Sequence, residues 1–384
     1  MARTTTILLA GAWLVACGGD DGGTTAAADS SSAGPGSSTG STSGGPGSSG
    51  SDSGATSIAD GSSSGDGSST GEPGALLDDY PLQGDTLFPE GVAFDPTRRQ
   101  FVFGSLEGGA IGTISADGAT QAILVASPGA AWSTAGMKVD AAADVLWACS
   151  GDDGHSEIWR VALADGSLQA QLDLTAVTPD AGCNDLALDG SGRVYVTDPG
   201  LGIVHRIDTD DTITAWATDA AFAPGFGGLG LNGIAATPDD TAIAVAYYAP
   251  PQLFLVAQDD PTDIRPVTLG GDAFEGGSAL SGADGIVFAP DDALYVVFYE
   301  QLARVELDVA AATGTVTTVA VPGLDEGLST ATVAEERVYA IKSEVQAYAL
   351  GGAPMLPFRI VHAALCTQPP RERAAASAAS SASR

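Results

Sequence analysis

The sequence predicts an all-β protein: a six-bladed β-propeller of four-stranded antiparallel blades. Three observations predict it. A phrase of one leading residue, an apolar stretch, a turn and a second apolar stretch recurs six times, aligned at positions 91, 136, 185, 233, 285 and 327, at intervals of 45, 49, 48, 52 and 42. Repeats of this period are the signature of an array of similar supersecondary units. Two further apolar stretches follow each phrase, giving four short strands per repeat, which is one propeller blade; a β-sandwich would not repeat so regularly. Finally, charged residues are only 16% of the chain while Gly is 51 of 384, a mix that suits short strands and tight turns rather than charged amphipathic helices.

The elements follow in chain order. Met1-Ala2-Arg3 and the apolar run ILLAGAWLVA form the positive and apolar parts of a signal segment, residues 1–16. Leu14-Val15-Ala16-Cys17 resembles a bacterial lipobox, which makes Cys17 the expected lipidation site and the cell envelope the expected location. Gly18-Gly19 after it resembles sorting to the outer membrane. The alternative is a plain secretory signal with a chance cysteine. Residues 17–74 form a linker; Gly and Ser make up 34 of the 57 residues from 18 to 74, too little apolar surface to offset chain entropy. The propeller spans 75–366, and the Ala/Ser-rich segment 367–384 is an expected disordered tail.

Within the propeller the hairpins are PEGVAFDPTRRQFVFGS (89–105), TAGMKVDAAADVLWACS (134–150), CNDLALDGSGRVYVTD (183–198), LNGIAATPDDTAIAVAYY (231–248), ADGIVFAPDDALYVVFY (283–299) and DEGLSTATVAEERVYAIKS (325–343). Period-two alternation marks the strands, and DPTRRQ, DGSGR, TPDD and APDD are turn chemistry. In the first repeat AIGTISAD and TQAILVAS are the third and fourth strands; in the third repeat GIVHRID and TITAWAT are. The ring closes by pairing the N-terminal LLDDYPLQG or the C-terminal PFRIVHAAL with the first or last blade. Of the cysteines, Cys149, Cys183 and Cys366 remain after Cys17, an odd number that leaves room for one disulfide of unspecified partners. His155, His205 and His362 are far apart in sequence and read as surface or core residues.

The hairpins, above all NDLALDGSGRVYVTD, LNGIAATPDD and ADGIVFAPDDALYVV, resemble the propellers of the senescence-marker-protein, gluconolactonase and luciferin-regenerating-enzyme family. The resemblance covers about 290 residues. Relatives in that family include calcium-dependent lactonases and phosphotriester hydrolases.

The leading residues of the six phrases are Glu90, Ala135, Asn184, Asn232, Asp284 and Glu326. Equivalent positions of all blades approach one point at one mouth of the channel. One Glu, one Asp and two Asn offer an all-oxygen set of charge −2, which suits Ca²⁺ or another hard divalent cation; zinc would call for His or Cys. The resemblance implies the same ligands blade by blade: Glu90, Asn184, Asn232 and Asp284. Two departures stand out: Glu90 is followed by Gly-Val where many family enzymes have Gly-Pro, and Glu326 adds a carboxylate that is either a channel-facing or loop residue or part of an extra metal or proton-transfer site. Second-strand ends add Glu107, Asp152, Asp198, Tyr247, Tyr248, Tyr299 and Glu300 at the same mouth. The long entries 218–230 and 270–282, with Phe222, Phe226 and Phe274, are candidate lids or surface slack.

A formal net charge of −33 disfavours nucleic acid. No apolar run after residue 16 reaches 18 residues, so a membrane is met through the lipid anchor only. There is no Gly-x-Ser-x-Gly elbow, no phosphate loop and no dinucleotide fingerprint. Two functions remain. One is a monomeric calcium-dependent hydrolase of a lactone or related ester, a small-molecule substrate, with Asp284 as the general base that the resemblance implies and Asp198 as a second candidate. The other is a non-catalytic surface lipoprotein whose propeller binds a ligand or partner and whose calcium is structural.

Overall fold

The computed structural model describes residues 74–152, 154–225, 229–278, 281–324 and 326–363. The expectations for Cys17, the signal segment, nearly all of the linker, Phe226, Cys366 and the tail lie outside those residues.

The chain opens on β1 (Asp79–Pro81) and then lays down its blades in order, inner strand first. Blade one is β2 (Val92–Asp95), β3 (Gln100–Phe103), β4 (Ile111–Ser115) and β5 (Gln121–Val125). Blade two is β6 (Ser133–Asp140), β7 (Val145–Asp152), β8 (His155–Ala162) and β9 (Leu168–Asp173). Blade three is β10 (Leu186–Leu188), β11 (Val194–Asp198), β12 (Ile203–Ile207) and β13 (Ile213–Thr218). Blade four is β14 (Leu231–Ala236), β15 (Ala242–Tyr247), β16 (Gln252–Ala257) and β17 (Ile264–Pro266). In blade five, β18 (Thr268–Gly271) pairs in parallel with the outer edge of β19 (Ile286–Phe288), β20 (Leu294–Val297), β21 (Leu302–Asp308) and β22 (Thr313–Val319), adding a fifth strand. Blade six is β23 (Leu328–Ala334), β24 (Arg337–Lys342) and β25 (Arg359–His362), completed by β1 as its outermost strand. Both terminal segments named as closure candidates therefore take part, paired with each other: Asp79 faces Val361 and Pro81 faces Arg359.

The core explains why the strands form. The buried apolar side chains fall into six clusters, and each straddles one seam between neighbouring blades. In β7, Leu146 and Ala148 pack toward blade one while Val145, Trp147 and Cys149 pack toward blade three. Middle strands are thus buried on both faces and read as continuous apolar runs such as VLWACS, whereas alternation survives where one face is wet. The closing seam is aromatic: the Tyr80, Phe101 and Tyr339 rings lie 4.9–6.0 Å apart. The Tyr80 hydroxyl donates to the Ala116 carbonyl at 2.8 Å, pinning β1 against blade one. Hairpin turns are held by their own carboxylates; Asp95 accepts from the Thr97 and Arg98 backbone N–H groups and Asp140 from those of Ala142 and Ala143.

Starts of first strands and ends of second strands share one side of the ring, the mouth. There a belt of hydrogen bonds ties neighbouring blades: Gly136 N–H to Asn184 O (2.9 Å), Gly233 N–H to Asp284 O (3.1 Å), Gly285 N–H to Ser329 O (2.9 Å). Hydroxyls complete it, Thr197 Oγ1 to Asn232 O (2.5 Å) and Ser329 Oγ to Glu90 O (3.0 Å). The glycines of the repeated phrase serve this belt. A Cβ on Gly91 would lie 2.0 Å from the Ala135 carbonyl oxygen, and one on Gly233 would lie 2.4 Å from that of Asp284.

Candidate functional site at the channel mouth

The belt carries the leading side chains to the channel. Glu90, Asn232 and Asp284 are at most 8% exposed, and Asn184 is half-buried. Blade six differs from the sequence expectation. Its inner strand has a register shift between Leu328 and Ala331, matching those between Thr134 and Met137 and between Leu231 and Ile234. The in-phase pair is therefore Ser329-Thr330, equivalent to Ala135-Gly136 and Asn232-Gly233. Glu326 lies three residues upstream, in the loop, and is exposed. The Glu-Gly dipeptide imitates the leading pattern, but the bonds to Gly285 and Glu90 are made by Ser329.

Two residues that sequence reasoning passed over join the set. Asp185 occupies the position where four blades have glycine, and it is buried. The break in the x-Gly pattern at Asn184-Asp185 was the available signal. Lys138, on β6, places its Nζ 4.0 Å from Asp185 Oδ1. Three carboxylates and one ammonium leave a net −2 when all are ionised, the same charge as the expected four-residue set.

Lys138 is the cation that opposes the raised values of Glu90 and Asp185. Burial, then Asp284 and Asp185, push the Glu90 carboxyl well above its usual range against the opposing pull of Lys138. Burial also raises Asp185. Asp284 is pushed up to about 8 by burial and by Asp185, opposed by hydrogen bonds from the Asn232 side chain and the Gly285 N–H. Four side-chain oxygens here, Glu90 Oε2, Asn184 Oδ1, Asp185 Oδ2 and Asn232 Oδ1, are buried and accept no hydrogen bond from the described residues. Each such oxygen costs on the order of 1–3 kcal/mol unless something satisfies it. Among the described residues no three His, Cys, Asp or Glu side chains are grouped to hold a metal by themselves. Half of the expected donors are amides, and oxygen donors of this mixture fit a hard cation completed by water.

Asp198 is placed differently. Its carboxylate accepts from the N–H groups of Gly182 (3.0 Å), Gly200 (3.0 Å) and Leu201 (2.9 Å), and His205 Nε2 lies 3.5 Å away. It is wholly buried and organises the β11–β12 turn and the segment leading to Asn184. A disulfide joins Cys149 on β7 to Cys183, immediately before Asn184, so that blade two anchors the blade-three entry covalently.

At the rim, the Tyr248 phenol is pushed up to about 12 by burial and by Asp284, and Tyr299 is raised by burial and by Glu344. Both stay protonated at neutral pH. Glu344 is buried, holds a left-handed backbone conformation, and pairs with Lys342 at 3.0 Å. The described parts of the long entries are held in place. Phe222 packs against Phe254 in the core, Phe274 against Phe298, and Gly277 N–H donates to Glu300.

The fold is a six-bladed propeller, and known structures share it. The allergen Mala s 1 of Malassezia sympodialis is 18% identical and aligns over 75% of this chain and 96% of its own, with a TM-score of 0.60. A gluconolactonase from Xanthomonas campestris is 20% identical over 74% of this chain and 89% of its own, TM-score 0.53. A luciferin-regenerating enzyme is 11% identical over 74% and 94%, TM-score 0.52. At these identities the likeness establishes the fold. No family model and no curated protein matches the sequence.

Proposed function

We propose that the protein is a divalent-cation-dependent hydrolase of a lactone or related ester, with Ca²⁺ held by Glu90, Asn184, Asn232 and Asp284. One observation carries the reading: buried side-chain oxygens of Glu90, Asn184, Asp185 and Asn232, all residues of the belt, accept no hydrogen bond from the described residues, and the three carboxylates with Lys138 leave a net charge equal in magnitude to that of one divalent cation. A bound Ca²⁺ supplies a Lewis-acid contact for a carbonyl oxygen and a counter-charge for the negative charge that develops there.

The chain's own groups do the rest. Asp284 takes the proton of the attacking water and returns it to the leaving alkoxide. Its raised value belongs to the cation-free protein; a bound cation would lower it and leave the carboxylate ionised to accept a proton near neutral pH. The Asn232 side chain donates to Asp284 and fixes its orientation. Lys138 moderates the repulsion that Asp185 adds. Tyr248, a neutral phenol, borders the site where the substrate enters. Export to the envelope through Cys17 belongs to the same reading, and the Cys149–Cys183 disulfide supports an oxidising compartment.

A lactone and ester panel run with CaCl₂ and with a chelator tests the reading. Chelator-sensitive turnover that falls by roughly 10²–10⁴ in Asp284→Asn, the usual worth of a general base, supports it. Chelator-sensitive melting with no turnover on any substrate moves the function to ligand or partner binding.

A further inference from the structure

The connection from β24 to β25 lies on the mouth side and is unlike the rest of this acidic surface. Residues 345–358, VQAYALGGAPMLPF, carry no charged side chain in a chain of net charge −33. Four of the ten large apolar side chains exposed among the described residues lie in this stretch: Tyr348 at 39%, Leu350 at 69%, Met355 at 49% and Leu356 at 46%. The loop is anchored beside the site at both of its feet. The Tyr348 ring packs 5.2 Å from that of Phe88, two residues before Glu90, and its hydroxyl donates to Leu106 O at 3.1 Å. Lys342, the partner of Glu344, donates to Met355 O at 2.6 Å. The exposed apolar surface is thus held in place along the rim between blades six and one.

Its size indicates what covers it. Four such side chains, about half exposed, present roughly 300–400 Å², within the range of functional patches on monomers. That is less than half of the ~800 Å² per partner that a stable protein interface buries. At about 30 Å² per methylene, it matches one alkyl chain of about ten carbons. We propose, resting on the hydrolase reading above, that the substrate is an amphiphilic lactone or ester. Its carbonyl end enters the site, and its alkyl chain lies along Tyr348, Leu350, Met355 and Leu356. A fully buried methylene is worth about four-fold in affinity and a half-covered one about two-fold.

The test uses γ-lactones with alkyl side chains of one to eight carbons, measured for kcat/KM and for equilibrium binding by calorimetry. The proteins compared are the wild type and the triple variant Leu350→Ser, Met355→Ser, Leu356→Ser. These positions are exposed, and the cation-dependent melting of the variant reports that the site is intact. The expected result is a gain of about two-fold per methylene in the wild type, reduced to near one-fold in the variant, with the shortest lactone treated alike by both. A flat series in the wild type, or the same slope in both proteins, overturns the inference while leaving the hydrolase reading standing. Chain-length-dependent binding that the variant loses, without turnover of any lactone, overturns the hydrolase reading and keeps the apolar subsite. Sedimentation of the wild type but not the variant with phosphatidylcholine vesicles, together with a flat lactone series, assigns the loop to a lipid surface and overturns the inference.

Discussion

Protons and the cation compete for the same site, and the competition sets a pH dependence whose sign follows from the buried carboxyls. Asp284 is pushed from 3.8 to about 8, so at pH 7 in the cation-free protein it is roughly nine-tenths protonated. A cation must displace that proton, so affinity should rise about tenfold per pH unit per proton released, and level off above about pH 8. Glu90 and Asp185 shift in the same direction, so protons released from them add to the one released from Asp284 and steepen the slope. Stability runs the opposite way without cation. Between pH 3.8 and about 8 the folded state holds a proton that the unfolded state lacks. The contribution is therefore complete below the unfolded value and is lost as pH rises through the folded one, at up to about 1.4 kcal/mol per unit for each group. Calcium titrations of chelator-stripped protein at pH 6, 7, 8 and 9, with melting curves in EDTA and in CaCl₂, read both effects. Asp284→Asn should lower the binding slope by one proton and flatten the EDTA melting profile. An affinity that changes less than about three-fold between pH 6 and 8, or an unchanged slope in Asp284→Asn, would refute the reasoning.

Gly91→Ala should cost about 2–4 kcal/mol, because its Cβ would meet the Ala135 carbonyl at 2.0 Å and neither backbone can yield without opening a seam; denaturant midpoints measure it. Reducing the Cys149–Cys183 bridge, which spans 34 residues, should cost about 4 kcal/mol by loop-closure entropy and weaken cation binding through Asn184. Melting and calcium titration with and without reductant check both effects. A chain starting at Ala75 should melt like the longer soluble form, since β1 begins at Asp79. One starting at Gly84 loses the outer strand of blade six and the Tyr80 contacts, and should melt lower and less cooperatively.

The six blades and their four strands were legible in the sequence, and so was the candidate set Glu90, Asn184, Asn232 and Asp284. All of these are written in local period and turn chemistry, which a short strand expresses wherever it is placed. The ring closure was visible only as two candidate segments; that β1 and β25 pair with each other depends on contact across the length of the domain. The same distance hid the choice of Cys183 as the partner of Cys149 and the tying of Asp198 to Gly182, Gly200 and Leu201. Blade six was misphased because Glu326-Gly327 resembles the leading pair, while the register shift that selects Ser329-Thr330 is set by pairing with β24 and by the Gly285 and Glu90 neighbours. Asp185 and Lys138 escaped notice for a related reason. Alone, each is an ordinary charged residue near a turn. Only when blades two and three close do burial and a 4.0 Å approach make them part of one electrostatic unit, because desolvation and Coulomb energy depend on tertiary distance and not on position in the chain.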